Sequence, residues 1–150
     1  MLRLLKGERQ MKQLTDDHVL FINASQNRNR NIARIGKQLI IAPHYQQLNL
    51  VDYKIYQIGQ DFPGDQFAEV ADQLQQALHL ILGTPVYWHA MSGYLEVLLE
   101  WLSQMDNPEI LRGKKISVFV QGADPSDTEG PTKNIVRRFA NVLGMDYQEI

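Results

Sequence analysis

From residue 18 onward the apolar residues of this chain switch repeatedly between two spacings, and that switching constrains the fold more than any other feature. His18-Val-Leu-Phe-Ile-Asn23 is a short apolar run of strand-forming residues, closed by the turn formers Asn23, Ser25 and Asn27. From Asn31 the spacing becomes helical, with Ile32, Ile35 and Leu39 on one stripe, until Pro43 stops it. Leu48 to Tyr56 alternates less cleanly, as an edge strand with one poorer face does. Phe67, Val70, Ala71 and Leu74 recur at i, i+3, i+4 and i+7, the stripe of a helix lying on a sheet. Leu78 to Leu82 is a third strand closed by Gly83-Thr-Pro85, and Leu95, Leu98, Leu99 and Leu102 mark the next helix. Ile116 to Val120 is a fourth strand; Ile135, Phe139, Val142 and Leu143 mark a fourth helix ended by Gly144, and Tyr147 to Ile150 reads as a short last strand.

Such alternation calls for a mostly parallel sheet covered on both faces, because each crossover helix packs back right-handedly onto the sheet. Five strands in one α/β domain over residues 17–150 suit the flavodoxin-like doubly wound parallel sheet, strand order 2-1-3-4-5, with helices on both faces and ligands at the carboxyl ends of strands 1 and 3. Residues 1–16 are polar and without strong period, a leader that is weakly ordered or at most a short helix.

Composition narrows the chemistry. At 150 residues, 44% hydrophobic and 21% charged, the chain is long and apolar enough for one self-sufficient core. It contains no cysteine, which excludes disulfides, thiolate zinc sites, cysteine nucleophiles and cysteine-ligated clusters. Fifteen basic against seventeen acidic residues argue against nucleic acid as a partner. No stretch reaches the roughly 18 apolar residues of a membrane span, and no apolar signal core follows Met1, so the expected setting is cytoplasmic with no membrane partner.

Three loops then carry the chemistry. The first, Asn23-Ala-Ser-Gln-Asn-Arg-Asn-Arg-Asn31, puts hydroxyl, amide and guanidinium groups in front of a helix N-terminus, where a phosphate is favoured; the alternative is a solvated turn with Asn29 or Asn31 as helix cap. The second runs from Gly83 to Gly93, and its Tyr87, Trp88, His89 and Met91 suit a planar heteroaromatic ligand, unless the rings pack beneath the loop. The third, Gln121 to Pro131, is acidic, and its Gly122 either lets backbone approach a ligand or belongs to a mobile surface loop. No G-x-G-x-x-G, no G-x-x-x-x-G-K-[ST] and no G-x-S-x-G occurs, so dinucleotide, triphosphate and nucleophile-elbow signatures are missing. Asp16 and Asp17 precede strand 1, the wrong end for a receiver-type acidic pair.

The first loop resembles the phosphate loop of the NAD(P)H-dependent FMN reductases, typically Gly-Ser-x-Arg-x-x-Ser/Asn. Thr84-Pro-Val-Tyr-Trp-His-Ala-Met-Ser-Gly-Tyr-Leu resembles, more specifically, that family's Ser/Thr-Pro-x-Tyr-x-x-x-x-Ser-x-x-Leu segment after strand 3. The resemblance spans residues 18–150. It implies that Ser25, Asn27, Arg28, Asn29, Asn31 and Ile32 hold the FMN phosphate. Pro85, Val86, Tyr87, Trp88 and His89, with Gly122 and Ala123, would surround the ribityl chain and ring. Ala24 replaces the usual glycine and Ile32 a common hydroxyl residue, which removes one side-chain contact; Arg28 and Arg30 would offset it by charge.

By that resemblance the protein is an FMN-dependent NAD(P)H oxidoreductase of the FMN, quinone or azo reductase type, with no catalytic side chain of its own. Hydride passes from NAD(P)H to the flavin and on to a small acceptor: a quinone, an azo compound or free flavin. The alternative is a flavodoxin-like electron carrier or flavin-binding module without NAD(P)H activity. Carriers of that kind are strongly acidic, and this nearly neutral chain favours the enzyme. Tyr94, Val97 and Trp101 widen the apolar face of the helix after strand 3, which suggests a homodimer or a helix sunk deeper into the core. His18, His44, His79 and His89 have no ligand spacing, so no metal is expected, and His44 and His79 are read as surface or boundary residues. Tyr147 to Ile150, reached without a following helix, is expected to be exposed or covered by a partner or by the leader.

Overall fold

The computed structural model describes residues 18–41 and 45–150, so the leader, Pro43 and His44 lie outside the described residues. The strands are β1 (Val19–Asn23), β2 (Gln46–Asn49), β3 (His79–Pro85), β4 (Lys115–Gln121) and β5 (Asp146–Tyr147); the helices are α1 (Asn31–Leu39), α2 (Phe67–Gln76), α3 (Gly93–Gln104) and α4 (Glu129–Leu143). All pairings are parallel and the order is β2-β1-β3-β4-β5. This is the flavodoxin-like sheet that the alternation predicts. Short 3-10 turns at Leu50–Asp52 and Pro108–Leu111 were not expected.

The two faces of the sheet are covered unequally. Val19, Phe21, Ile81 and Phe119 pack with Ile32 and Leu39 of α1 on one side. On the other, Leu20, Ile22, Leu80, Leu82, Ile116 and Val118 pack with apolar residues of α2, α3 and α4. Glycine is required twice where α1 lies on the sheet. A Cβ at Gly36 would overlap the Phe21 ring, and one at Gly83 would stand 2.6 Å from the Phe119 ring and 2.7 Å from Ile32. Gly144, at φ 70°, ends α4 in the left-handed conformation.

Three local expectations need correction, and one open alternative gains an observation. The second strand is residues 46–49 and not 48–56: β1 ends at Asn23, which pairs with Asn49, so β2 has no partner beyond that point. The apolar alternation at Tyr53 and Ile55 reflects loop side chains packed against the core. β5 is residues 146–147, and the chain end is tied down by Glu149, which accepts from Lys133 (2.5 Å), Arg137 (3.0 Å) and the Tyr147 hydroxyl (2.9 Å). Burial pushes the Glu149 carboxyl up, but the bonds from Lys133 and Tyr147 outweigh it and hold it below the usual range. His79 is no boundary residue; it is buried in β3, with Nε2 2.9 Å from the Ser117 hydroxyl. Trp101 is half-buried, its indole N–H donating to the Tyr56 carbonyl at 2.5 Å and its ring 5.8 Å from that of Phe67. Of the extra apolar face of α3, Trp101 is therefore used within the chain, whereas Tyr94 stays exposed.

Candidate functional site

The loop after β1 is shaped by a buried asparagine. Asn23 Oδ1 accepts from the Ser25 N–H at 3.0 Å, while its Nδ2 donates to the Asn27 carbonyl (2.9 Å) and to Asn49 Oδ1 (3.0 Å). Ser25, itself buried, accepts from the Asn27 N–H at 3.0 Å, and Gln47 on the edge strand donates to the Arg28 carbonyl. The loop thus reaches α1 in a fixed course. Arg30 stands at the N-cap, no side chain caps this helix, and no acidic residue occupies its first turn. Neither Asn29 nor Asn31 serves as the cap; Asn31 Oδ1 instead accepts from Arg34 at 3.2 Å. The first-turn N–H groups keep their partial positive charge open to an acceptor.

Two arginines that look alike in sequence have different situations. The guanidinium of Arg28 bonds Asp52 through Nε at 2.6 Å and through its terminal nitrogen, and this hydrogen bond raises its pKa further. Its charge is already matched. Arg30 is exposed and has no side-chain partner among the described residues. Ile32 is buried beside Gly83, so only its backbone faces the loop chemistry.

The loop after β3 is pinched at its base. Buried Thr84 accepts from the Ser92 N–H and donates to the Pro85 carbonyl, both at 2.9 Å, and Ser92 caps α3 by accepting from the Leu95 N–H. Between them residues 86–91 run out over the strand ends. Val86 N–H bonds the Gln121 carbonyl, and Gly122 lies against Val86, where a Cβ would come to 3.1 Å. The glycine therefore serves the packing of two loops. Tyr87 is 47% exposed and Trp88 82%, so neither ring packs beneath the loop. Tyr87 reaches back to the first loop, its hydroxyl accepting from the Gln26 N–H at 2.6 Å.

His89 has φ +51°, a strained choice for a residue with a Cβ, and its Nδ1 bonds Asp127 Oδ2 in the loop after β4. The imidazole holds the Asp127 carboxyl below its ordinary range, opposed by slight burial and aided by the Thr128 hydroxyl at 3.1 Å. The Trp88 and His89 rings meet edge to face with centroids 5.0 Å apart. Every expected site residue lies on these three loops, at the end of β3 (Pro85) or at the start of α1. The structure adds Asn23, Asn49, Asp52 and Asp127, which no motif had marked. Only the amide at the end of β1 carried a usable signal, as a polar residue closing a wholly buried strand.

The uncapped start of α1 and the exposed Tyr87 and Trp88 rings thus stand on the loops at the β1–β3 switch point, where doubly wound sheets bind ligands. The sequence matches the model of the NADPH-dependent FMN reductases over residues 18–147. The chain belongs to that family. It is accordingly an NAD(P)H-dependent oxidoreductase with FMN as cofactor. No protein of curated function matches the sequence.

Solved structures show the same fold at low identity. The Trp repressor binding protein from Bacillus subtilis is 20% identical, with TM-score 0.70 over 87% of this chain and 83% of that one. The flavoenzyme NAD(P)H:(acceptor) oxidoreductase FerB from Paracoccus denitrificans is 15% identical (TM-score 0.66; 87% and 74% covered). An FMN-dependent NADH-azoreductase from Bacillus anthracis str. Ames Ancestor, solved with FMN, is 16% identical (TM-score 0.61; 88% and 85% covered). Among the described residues no helix is long and apolar enough to cross a membrane.

Proposed function

We propose that the FMN phosphate rests against the open first turn of α1, on the N–H groups of residues 31 and 32 and on Ser25, Asn27 and Asn29, with Arg30 as its counter-charge. Arg28 supports this site by anchoring the loop to Asp52. Pro85, Val86, Tyr87, Trp88 and His89 flank the ribityl chain and ring, together with Gly122 and Ala123. The chemistry supplied there is two-electron transfer, from NAD(P)H to the flavin ring and on to a small acceptor such as a quinone, an azo compound or free flavin. The chain itself binds, orients and leaves one side of Trp88 accessible. No acid–base triad is needed.

The observation that carries the reading is the uncapped, acid-free start of α1 beside Arg30, which has no side-chain partner among the described residues. The test is a titration of the purified protein with FMN and with riboflavin, followed by anaerobic addition of NADPH. FMN should bind at least tenfold more tightly than riboflavin, Arg30→Gln should shrink that ratio several-fold, and NADPH should bleach the bound flavin. Equal binding of FMN and riboflavin, or no bleaching, overturns the assignment. The same reading keeps the cytoplasmic expectation, since its reductant is an intracellular dinucleotide. It also keeps a homodimer, supported by exposed Ile135 and Val142 on α4, which sedimentation velocity would detect.

A further inference from the structure

The aromatic residues assigned to the ring are held from both sides. At one end the Tyr87 hydroxyl accepts from the Gln26 N–H of the loop after β1; at the other, His89 Nδ1 bonds Asp127 Oδ2 of the loop after β4. Trp88 stands between them, 82% exposed and without a hydrogen bond to any described residue. Among the described residues its ring contact is the His89 imidazole, met edge to face with centroids 5.0 Å apart. A side chain so exposed has few packing contacts to select its rotamer, so the imidazole beside it governs how the indole stands.

The imidazole is fixed in turn by Asp127. That residue sits on a turn in which the Thr128 and Glu129 N–H groups both bond the Pro125 carbonyl, at 3.0 and 2.9 Å, and Thr128 is buried. Both carboxyl oxygens are engaged: Oδ1 accepts from the Thr128 hydroxyl at 3.1 Å and Oδ2 is bonded to His89. The bond to His89 holds the carboxyl below its ordinary range, so at neutral pH it is ionised and can only accept. Nδ1 therefore carries the proton of this bond, which fixes the plane and direction of the ring. His89 also holds φ +51°, a backbone conformation that persists where surrounding contacts over-determine it. Both side chains are more than half exposed, and pairs of this kind add little to global stability. The effect of the pair is local: a fixed turn directs an imidazole, and the imidazole directs Trp88.

We propose that Asp127 is a positioning residue for the flavin ring, acting through His89 to set the face that Trp88 presents. The proposal rests on the flavin reading above. It places the action of Asp127 on the ring end of the ligand and not on the phosphate, which that reading puts at the start of α1. Arg30 and Asp127 thus divide the ligand between them, one answering for the phosphate and the other for the ring.

The test is a titration of the full chain with FMN and with riboflavin, which keeps the ring and ribityl chain and lacks the phosphate. The visible circular dichroism of each flavin is then recorded at saturation. Asp127→Ala, which removes the acceptor, should weaken both ligands by the same factor, about threefold to tenfold, and reduce the dichroism. The ratio of FMN to riboflavin affinity should stay within about twofold of the parent's, whereas Arg30→Gln shrinks it. Asp127→Asn, which loses the charge but keeps an acceptor oxygen, should restore binding and dichroism to within about twofold of the parent. In a His89→Ala background, Asp127→Ala should add less than about twofold, because the intermediary is already gone. Unchanged riboflavin binding in Asp127→Ala, a loss confined to FMN, equal losses in Asp127→Ala and Asp127→Asn, or a full additional loss in the His89→Ala background overturns the proposal. If Asp127→Ala fails to fold, His89→Ala decides, and unchanged riboflavin affinity there overturns it. A parent protein that takes up neither flavin overturns the flavin reading and this proposal with it, whereas uptake without the expected differences overturns the proposal alone.

Discussion

The Tyr87 hydroxyl and the Gln26 backbone nitrogen are 2.6 Å apart, and this bond ties the exposed part of the loop after β3 to the loop after β1. Both loops are exposed at that point, so the bond contributes little to global stability, on the order of 0.5–1.5 kcal/mol. Its larger effect is to fix two halves of one binding surface before a ligand arrives. Tyr87→Phe should leave the melting temperature within a few degrees of the parent and weaken FMN binding about twofold to tenfold, measured by quenching of flavin fluorescence.

The clasp between His89 and Asp127 should respond to acid in a defined direction. The Asp127 carboxyl is held low by its bond to His89, so the contact is fully present above the ordinary carboxylate pKa of about 3.9. It is lost only as pH falls through the lowered value. The side-chain carboxyl carbon resonance of Asp127, followed by NMR, should show no protonation step from neutral pH down to about 4 and should titrate below that. Asp127→Asn should remove the step, and a protonation of Asp127 above about pH 5 would contradict it.

Asn23 concentrates the cost of losing the first loop. Asn23→Ala leaves the buried Ser25 N–H, the Asn27 carbonyl and Asn49 each short of a partner, at about 1–3 kcal/mol. Urea unfolding should show that loss. FMN affinity should fall with it, because the loop's course to α1 is set by this side chain.

Gly36→Ala opposes two effects. Alanine favours a helix by up to about 1 kcal/mol over glycine, but the added methyl would overlap the buried Phe21 ring. Overpacking of this kind costs about 1–3 kcal/mol, so the net change should be destabilising. Since α1 must shift away from the sheet, its N-terminus moves too. Thermal denaturation and FMN titration should therefore worsen together, and an unchanged flavin affinity would show that the start of α1 is not the phosphate site.

The amino-acid order alone determined the element sequence, the strand order and the three loops that hold the candidate site, because burial on a sheet imposes one spacing and burial of a helix another. It also marked Thr84 to Leu95 as a pattern, although not that Thr84 and Ser92 close the loop on each other. What tertiary structure decided are pairings across long separations. Arg28 and Arg30 are equivalent in the sequence, yet the approach of Asp52, 24 residues away, neutralises Arg28, while Arg30 has no side-chain partner among the described residues. Asn23 looked like a turn former and is instead the buried hub of its loop, because parallel pairing sets it beside Asn49. The apparent strand beyond Leu48 ended early for the same reason: a ladder extends only as far as its neighbour, and the length of that neighbour is not written in the residues that would join it.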